Sequence, residues 1–318
     1  MLVIACPKVK MGANITSREG GLLPVTIQGT RNLMAAHHCS KIASAQIKSA
    51  ILLAGLNARG TTIVSEPSAS RDHSESMLRH FGASISQEVA EDKSHRVKLA
   101  AGANLRAADV FVPSDPSSAA FAIVAALITP GSDIILCGIG MNPLRTGLIT
   151  TLIEMGGNIT KSNHRTEGGE AVADLRVKHS QLHGITVPPD RAASMIDEYP
   201  ILSVAAASAN GTTEMLGIAE LRVKETDRIK VMAEGLISCG VKVDFDEDSM
   251  RVTNSTVNGG VTISAEHDHR IAMSFLTLGM NAKVPITVRG CATIETSFPG
   301  FAAAMNDLGA SLANGSSI

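Results

Sequence analysis

Aromatic side chains are scarce in this chain: they make up 3% of 318 residues, with one tyrosine and no tryptophan. The core must therefore be built from aliphatic side chains and 13 methionines, packed around small residues. The chain also lacks an excess of either charge, since 28 basic side chains stand against 30 acidic ones. No global field favours nucleic acid or an anionic membrane as a partner. Because 44% of the residues are hydrophobic and 18% are charged, disorder is excluded as well.

Cysteines are few, and long apolar runs are missing. The five cysteines, the first of them Cys6, form no CxxC pair and no histidine–cysteine spacing of a zinc site, and scattered thiols in odd number are typical of the reducing cytoplasm. The longest apolar stretch, Ala119–Ile128, is far shorter than the roughly 20 residues that span a bilayer. Residues 1–6 lack the basic start and the length of a signal peptide. We therefore expect a cytoplasmic protein with no membrane partner.

The chain is built from a repeated unit: an Ala-rich apolar helix, a short β-branched strand, a charged turn, a second helix, and a glycine followed by another strand. The glycine can take the left-handed conformation that ends a helix. Runs such as IKSAILLAGL and ILSVAAASA are apolar on nearly all sides, which is typical of helices buried between layers. Four copies are recognisable, over residues 44–85, 117–159, 195–243 and 270–312.

The beginning of the chain matches only the tail of a unit, because residues 11–15 (MGANI) resemble residues 155–159 (MGGNI). The polar stretch Glu91–Arg96 is typical of a loop, and Phe111–Asp115 of an extended passage into a new unit. We therefore predict an incomplete first domain over residues 1–112, with one whole unit and the tail of another. A nearly complete second domain of three units would occupy residues 113–318.

Polar motifs recur where a turn leads into a helix, a place at which unsatisfied backbone N–H groups and the helix dipole favour anions. Ser44-Ala45-Gln46 opens the first apolar helix, where it could cradle a phosphate or be a plain serine N-cap. Arg71, at the start of the next helix, could add a cation to a phosphate site or lie exposed beside a cap. Asp72 and Glu75 are spaced as a capping pair for that helix.

Two acidic residues, Asp197 and Glu198, interrupt an apolar segment just before the third apolar helix. A carboxylate facing the end of a buried helix is costly unless it is used or paired. One of them could therefore act as a general base toward a substrate hydroxyl. The alternative is an N-cap, since the proline that follows suits a helix start.

Two further charged stretches precede helices. Leu221–Arg228 packs five charges into eight residues. Arg228 lies one turn from Lys224, so the two could converge on one anion, whereas a solvated loop is the alternative. His267-Asp268-His269-Arg270 could indicate a metal site, but no further ligands are evident, and an aspartate cap with an anion-binding arginine explains the pattern equally well. The motifs together indicate binding of small polyanions between two domains, with acid–base chemistry.

Eight segments of the chain are similar to those of one known family. In sequence order they resemble the EPSP synthases, or 3-phosphoshikimate 1-carboxyvinyltransferases: SAQIKSAILLAGL, SRDHSE, DPSSAAF, MNPLRTGL, SMIDEYPIL, ELRVKETDRI, DHRIAMSF and TSFPGF. The resemblance implies the α/β (α+β) enolpyruvyl-transferase fold, two inverse α/β barrel-like domains of repeated βαβαββ units around pseudo-threefold axes. The family transfers the enolpyruvyl group of phosphoenolpyruvate to the 5-hydroxyl of shikimate 3-phosphate and releases phosphate, with no metal or organic cofactor.

The resemblance also implies roles for individual residues. Those implied to hold the phosphate and ring of shikimate 3-phosphate are Ser44, Ala45, Gln46 and Arg71. Asp197 would bind the ring hydroxyls and accept a proton, with Lys224 beside it. Glu225 and Lys224 would transfer protons at the methylene of phosphoenolpyruvate. Those implied to bind phosphoenolpyruvate are Gln46, Arg228 and Arg270, with His269 close by.

Some motifs of the family are not found in this sequence. Its N-terminal Lys-Ser…Arg motif and its Gly-Asn-Ala-Gly-Thr loop are absent, and both contribute to the two substrate sites. We therefore expect this chain alone to be inactive or nearly so, and we expect the complete protein to be a monomer. The alternatives are a non-catalytic or split-enzyme fragment that needs an N-terminal partner chain, and the related UDP-N-acetylglucosamine enolpyruvyl transferase.

Overall fold

The computed structural model describes residues 10–102 and 104–314. Some of the predictions concern residues outside the described ranges. These are Cys6, residues 1–6, which are unlike a signal peptide, and the outer ends of both predicted domains. The chain divides into two compact units. Unit 1 comprises Met1–Val112 and Thr166–Glu170, and unit 2 comprises Pro113–Arg165 and Ala171–Ile318. How many repeats the predicted first domain lacks stays a prediction.

The described part of unit 1 contains a two-stranded hairpin, followed by two helices and a four-stranded sheet. Its elements, in chain order, are β1 (Asn14–Arg18), β2 (Leu22–Gln28), β3 (His37–Cys39), α1 (Ala45–Gly55), β4 (Thr62–Glu66), α2 (His73–His80), β5 (Ile85–Val89) and β6 (His95–Leu99). β1 and β2 pair antiparallel, and the second sheet has the order β3-β4-β6-β5, with β3 and β4 parallel. The apolar face of α1 supplies Ile47, Ile51 and Leu52 to a small core beneath this sheet.

The described part of unit 2 consists of helices and three sheets, and its division into three repeat units stays a prediction. Its elements are α3 (Pro116–Ile128), β7 (Asp133–Gly140), α4 (Gly147–Glu154), β8 (Asn158–Glu167), β9 (Glu170–Lys178), β10 (Thr186–Val187), α5 (Tyr199–Ser208), β11 (Thr212–Leu216), α6 (Arg228–Ser238), β12 (Lys242–Phe245), β13 (Ser249–Thr253), β14 (Thr262–Ser264), α7 (His269–Gly279), β15 (Thr287–Arg289) and α8 (Phe301–Asp307). The sheets have the orders β7-β9-β8, β10-β11-β13-β12 and β14-β15.

The three apolar helices of unit 2 form its centre. α3, α5 and α7, one from each predicted copy of the repeat, all pack against one another. Alanines allow this close approach, since α5 buries Ala205, Ala206 and Ala207 completely. The sequence motifs of unit 2 thus lie at or just before the first turns of helices that are themselves buried.

The structure corrects three predictions of local structure. β6 occupies part of the stretch expected to be a loop. Its backbone pairs with β4 and β5, and its alternate side chains Val97 and Leu99 are buried in the core. The third apolar helix begins at Tyr199 rather than Met195, since Met195 has non-helical backbone angles (φ −153°, ψ 24°) and short 3-10 turns precede the helix. Residues 309–312 form no strand, because the backbone of Leu312 exchanges two hydrogen bonds with the side chain of Asn306, at 2.7 and 2.8 Å.

Candidate active site

In unit 1, the start of α1 carries the first predicted motif. Ser44 is the N-cap, and its Oγ accepts a hydrogen bond from the Ile47 N–H at 3.4 Å. The cap interpretation is therefore confirmed. Helix geometry leaves the N–H groups of Ala45 and Gln46 without an intrahelical acceptor, so they can still donate to an anion. The phosphate role of these residues stays a prediction.

Arg71 lies half-buried on the segment between β4 and α2. The capping pair predicted beside it is wrong. Asp72 is the N-cap of α2, but its side chain accepts no capping hydrogen bond. Glu75 is instead buried, and its carboxylate lies 2.8 Å from the ammonium of Lys48. This ion pair offsets the unfavourable burial of the carboxylate.

In unit 2, the structure brings the remaining predicted residues together around Arg228, the first residue of α6. Only 1% of its side chain is exposed. Its Nε donates to Asp268 Oδ2 at 2.7 Å, its Nη1 to Asp197 Oδ1 at 3.3 Å and its Nη2 to Glu225 Oε2 at 2.5 Å. We call these four residues and Lys224 the Arg228 cluster. The solvated-loop alternative is therefore wrong for Arg228, although neighbouring Val223 is exposed.

Asp197 is the point at which the cations of this cluster meet. Arg228 Nη1 lies 3.3 Å and Lys224 Nζ 3.7 Å from the same Asp197 oxygen. The Lys224 ammonium also contacts Glu220 at 2.5 Å. The two cations thus converge on an anion, as predicted, and in this structure the anion is a carboxylate of the protein. Since 19% of the Asp197 side chain is exposed, a ligand can reach it.

Asp268 and His269 open α7. Asp268 is the N-cap and accepts from the Arg270 N–H at 2.8 Å, so the cap interpretation is confirmed. Burial lowers the pKa of His269, and the Arg270 charge lowers it further. The imidazole is consequently neutral at neutral pH and can donate or accept one hydrogen bond without adding charge.

Glu198, which the sequence left open as a general base or an N-cap, lies at the N-cap position of α5 without a side-chain capping hydrogen bond and forms a second buried network. Its Oε1 accepts from Ser117 Oγ at 2.5 Å and from Arg270 Nη1 at 3.2 Å. Arg145 donates to the same Ser117 hydroxyl at 2.7 Å. Arg270 also donates to the Asp197 carbonyl oxygen at 3.1 Å, so this network fixes the guanidinium beside the Arg228 cluster.

Sequence reasoning missed the burial of three charged side chains in unit 1, Lys48, Glu66 and Glu75, the last of which it had assigned to a capping pair. The only available signal was the lysine within the otherwise apolar run IKSAILLAGL. Among residues 10–102 and 104–314, no group of three His, Cys, Asp or Glu side chains is placed to hold a metal ion. Within the same residues, no helix is both long and apolar enough to span a membrane.

The fold defines an enolpyruvyl-transferase architecture: the enolpyruvyl transferase NikO from Streptomyces tendae superposes with a TM-score of 0.75 at 17% identity over 98% of this chain and 71% of that protein. The family is more specific. The EPSP synthase (3-phosphoshikimate 1-carboxyvinyltransferase) family model matches residues 4–305. The chain belongs to the EPSP synthase family, and the predicted family and fold are confirmed.

Individual relatives of the chain carry the name of the same family. The 3-phosphoshikimate 1-carboxyvinyltransferase of Granulibacter bethesdensis is 54% identical over 307 residues, which are 96% of this chain and 68% of that protein. The corresponding protein of Methylorubrum populi is 54% identical over 314 residues, 97% of this chain and 69% of its own length. The EPSP synthase structure from Acinetobacter baumannii superposes with a TM-score of 0.90 at 45% identity and covers 97% of this chain and 70% of that one. The chain thus spans about two thirds of the length of these relatives.

Proposed function

We propose that this chain acts in the transfer of the enolpyruvyl group from phosphoenolpyruvate to the 5-hydroxyl of shikimate 3-phosphate, with release of phosphate. The proposal rests on the family and on one observation above all. The Arg228 cluster holds the proposed proton acceptor, Asp197, and the proposed proton donors, Lys224 and Glu225, around a single buried guanidinium. General acid–base groups so close together can serve both the hydroxyl and the methylene of one reaction.

In the addition step, Asp197 takes the proton of the 5-hydroxyl, and the oxygen forms a bond to C2 of phosphoenolpyruvate. The methylene carbon takes a proton from Lys224 or Glu225, which gives a tetrahedral intermediate. In the elimination step, the methyl group returns a proton to the protein and the bond from C2 to the phosphate oxygen breaks. The neighbouring cations stabilise Asp197 as a carboxylate between steps and offset the charge of the substrates.

In unit 2, phosphoenolpyruvate would bind through Arg228, Arg270 and His269, and the role of Gln46 in unit 1 stays a prediction from the family resemblance. Arg270 is held by Glu198 and by the Asp197 carbonyl oxygen. Every guanidinium nitrogen of Arg228 contacts a carboxylate in this structure, but the side chain of Glu225 is 50% exposed. A turn of Glu225 away from Nη2 would therefore make Arg228 available to an anionic substrate.

In unit 1, the turn from Ser44 to Gln46 and the side chain of Arg71 would hold shikimate 3-phosphate. A helix N-terminus with an additional arginine is a favourable environment for a phosphate dianion. That the protein is monomeric and cytoplasmic, without nucleic-acid or membrane partners, stays a prediction from the sequence, as does the inactivity of the chain alone.

A phosphate-release assay with both substrates tests the proposal. We would assay the purified chain by itself and together with the part of the G. bethesdensis relative that has no counterpart in this chain. Turnover in either sample supports the reaction, and turnover by the chain alone contradicts the expected inactivity. Absence of phosphate release in both, with no calorimetric binding of shikimate 3-phosphate, contradicts the proposed function.

In the active sample, Asp197→Asn should lower turnover by about a hundredfold or more, because a proton acceptor is lost. The matched control is Asp190→Asn, an exposed aspartate in the preceding 3-10 turn, which should leave turnover unchanged. Equal activity of the two variants would remove Asp197 from the proposed mechanism.

A further inference from the structure

Glu66, the last residue of β4, contacts both segments of unit 1 that the proposed function assigns to shikimate 3-phosphate. Its Oε1 accepts a hydrogen bond from the Ser44 backbone N–H at 2.8 Å. Its Oε2 accepts from the Ser70 hydroxyl at 2.8 Å, directly before Arg71 in the chain. One buried carboxylate thus joins the start of α1 to the segment that carries the arginine.

Lys48 keeps this carboxylate in place. Its buried ammonium lies 3.2 Å from Glu66 Oε2 and 2.8 Å from Glu75 Oε1 on α2, and it donates to the Ser70 carbonyl oxygen at 3.1 Å. The lysine therefore connects α1, β4, α2 and the segment between them. Removing one partner from such a buried group would leave another charge uncompensated, so the three side chains depend on one another.

The sign of these charges argues against direct attraction of the ligand. Two buried glutamates and one lysine carry a formal charge of one negative unit, and they lie beneath a site proposed for a phosphate dianion. By charge alone, Glu66 would weaken phosphate binding. Its two hydrogen bonds offer a different contribution, because they set the distance between the Ser44–Gln46 turn and Arg71.

We infer that Glu66, held by Lys48, is a positioning residue that places the Ser44–Gln46 turn and the Ser70–Arg71 segment to receive the phosphate of shikimate 3-phosphate. The inference rests on the proposed function and deepens it in unit 1. Glu66 itself need not contact the substrate. Its effect passes through the backbone of Ser44 and the hydroxyl of Ser70, and it should therefore depend on the reach of the carboxylate and on its two acceptor oxygens rather than on charge alone.

Two substitutions in the full chain test the reach of the carboxylate and its two acceptor oxygens. Glu66→Asp keeps the charge but is shorter by one methylene group, so its oxygens cannot span both partners. Glu66→Gln keeps the length but removes the charge and one acceptor. We expect each variant to weaken calorimetric binding of shikimate 3-phosphate by about tenfold, as the loss of a hydrogen bond to a charged group allows. Binding of unphosphorylated shikimate should change far less.

The matched control is Glu88→Gln. Glu88 lies in the same unit and also contacts two cations, Arg96 at 3.3 Å and Lys98 at 2.8 Å, but its side chain is exposed. This control should bind shikimate 3-phosphate as the parent does. Circular dichroism verifies that each variant is folded, and Glu66→Asp decides the question if Glu66→Gln does not fold.

Three results would overturn the inference. If Glu66→Asp binds like the parent, the reach of the carboxylate does not matter, and tighter binding by Glu66→Gln would then show that Glu66 acts through charge alone. If shikimate and shikimate 3-phosphate weaken equally, the residue has only a structural role. If the parent chain itself does not bind shikimate 3-phosphate, the role proposed for unit 1 fails, and the inference fails with it.

Discussion

Glu198 brings a negative charge into the interior of unit 2, and its neighbours compensate only part of the unfavourable burial. Burial raises the pKa of this carboxyl group, and nearby Asp197 raises it further. The Arg270 charge and the Ser117 hydrogen bond act in the opposite direction but do not cancel the effect. The protonated form is therefore favoured in the folded state relative to the unfolded state, in which the ordinary pKa is 4.5.

This shift predicts a pH dependence of stability. Because the folded state holds the proton more tightly, the stabilising contribution of Glu198 is present below its unfolded pKa and is lost as pH rises through the raised folded pKa. Glu198→Gln cannot ionise and so avoids the loss. We expect the unfolding midpoint of the variant, relative to the parent, to increase in thermal melts as the pH rises above 4.5 and to level off once the pH exceeds the raised folded pKa.

Glu234→Gln is the control, since that side chain on α6 is 61% exposed. The difference between the unfolding midpoint of this control and that of the parent should not vary over the same range of pH. Subtracting the unfolding midpoint of the parent at each pH removes the contributions of the groups that both proteins share. The comparison therefore isolates one carboxyl group. A constant difference for Glu198→Gln would show that Arg270 and Ser117 fully compensate its burial.

At the scale of the helices, two glycines in unit 2 differ in what surrounds them. A Cβ built on Gly235 in α6 would lie 2.2 Å from the ring of Phe275, which is buried on α7. A Cβ on Gly279, the last residue of α7, would meet Ile286 at an ordinary 3.7 Å. Gly235 is therefore the position at which α6 and α7 approach closely, whereas Gly279 has room for a methyl group.

These surroundings predict opposite effects for the same substitution. Gly235→Ala should destabilise the chain by about 1–3 kcal/mol, because overpacking outweighs the gain in helix propensity. Gly279→Ala should stabilise it by up to about 1 kcal/mol, since only the propensity changes. Urea unfolding of both variants measures the free energies. Stabilisation by Gly235→Ala would mean that α6 and α7 can move apart without loss.

Local signals in the sequence were sufficient for some helix caps but not for pairing across the chain. The caps Ser44 and Asp268 follow from residue type at a turn before an apolar run, so they could be predicted. β6 could not, because its charged residues are typical of a loop until a partner strand lies beside it. The contact of Lys48 with Glu66 joins charges on different elements, and no periodicity indicates which distant charges will meet.

Each unit has its own core, and this determines how the molecule should unfold. The buried apolar cluster of unit 1 is small and is drawn from α1, α2 and the sheet around β4, whereas that of unit 2 extends over three packed helices and their sheets. The two clusters share no residue. Since hydrophobic stabilisation scales with the apolar area buried, unit 1 should be the less stable of the two.

The scarcity of aromatic residues makes this difference measurable. The single tyrosine of the chain, Tyr199, is fully buried at the start of α5, and there is no tryptophan. Intrinsic tyrosine fluorescence therefore reports on unit 2 alone, while far-ultraviolet circular dichroism reports on the helices and strands of both units. We expect the dichroism signal to begin to fall at a lower urea concentration than the fluorescence signal changes, because non-coincident probes reveal a partly unfolded state. Coincident transitions would instead show that the two units unfold as one cooperative body, despite their separate cores.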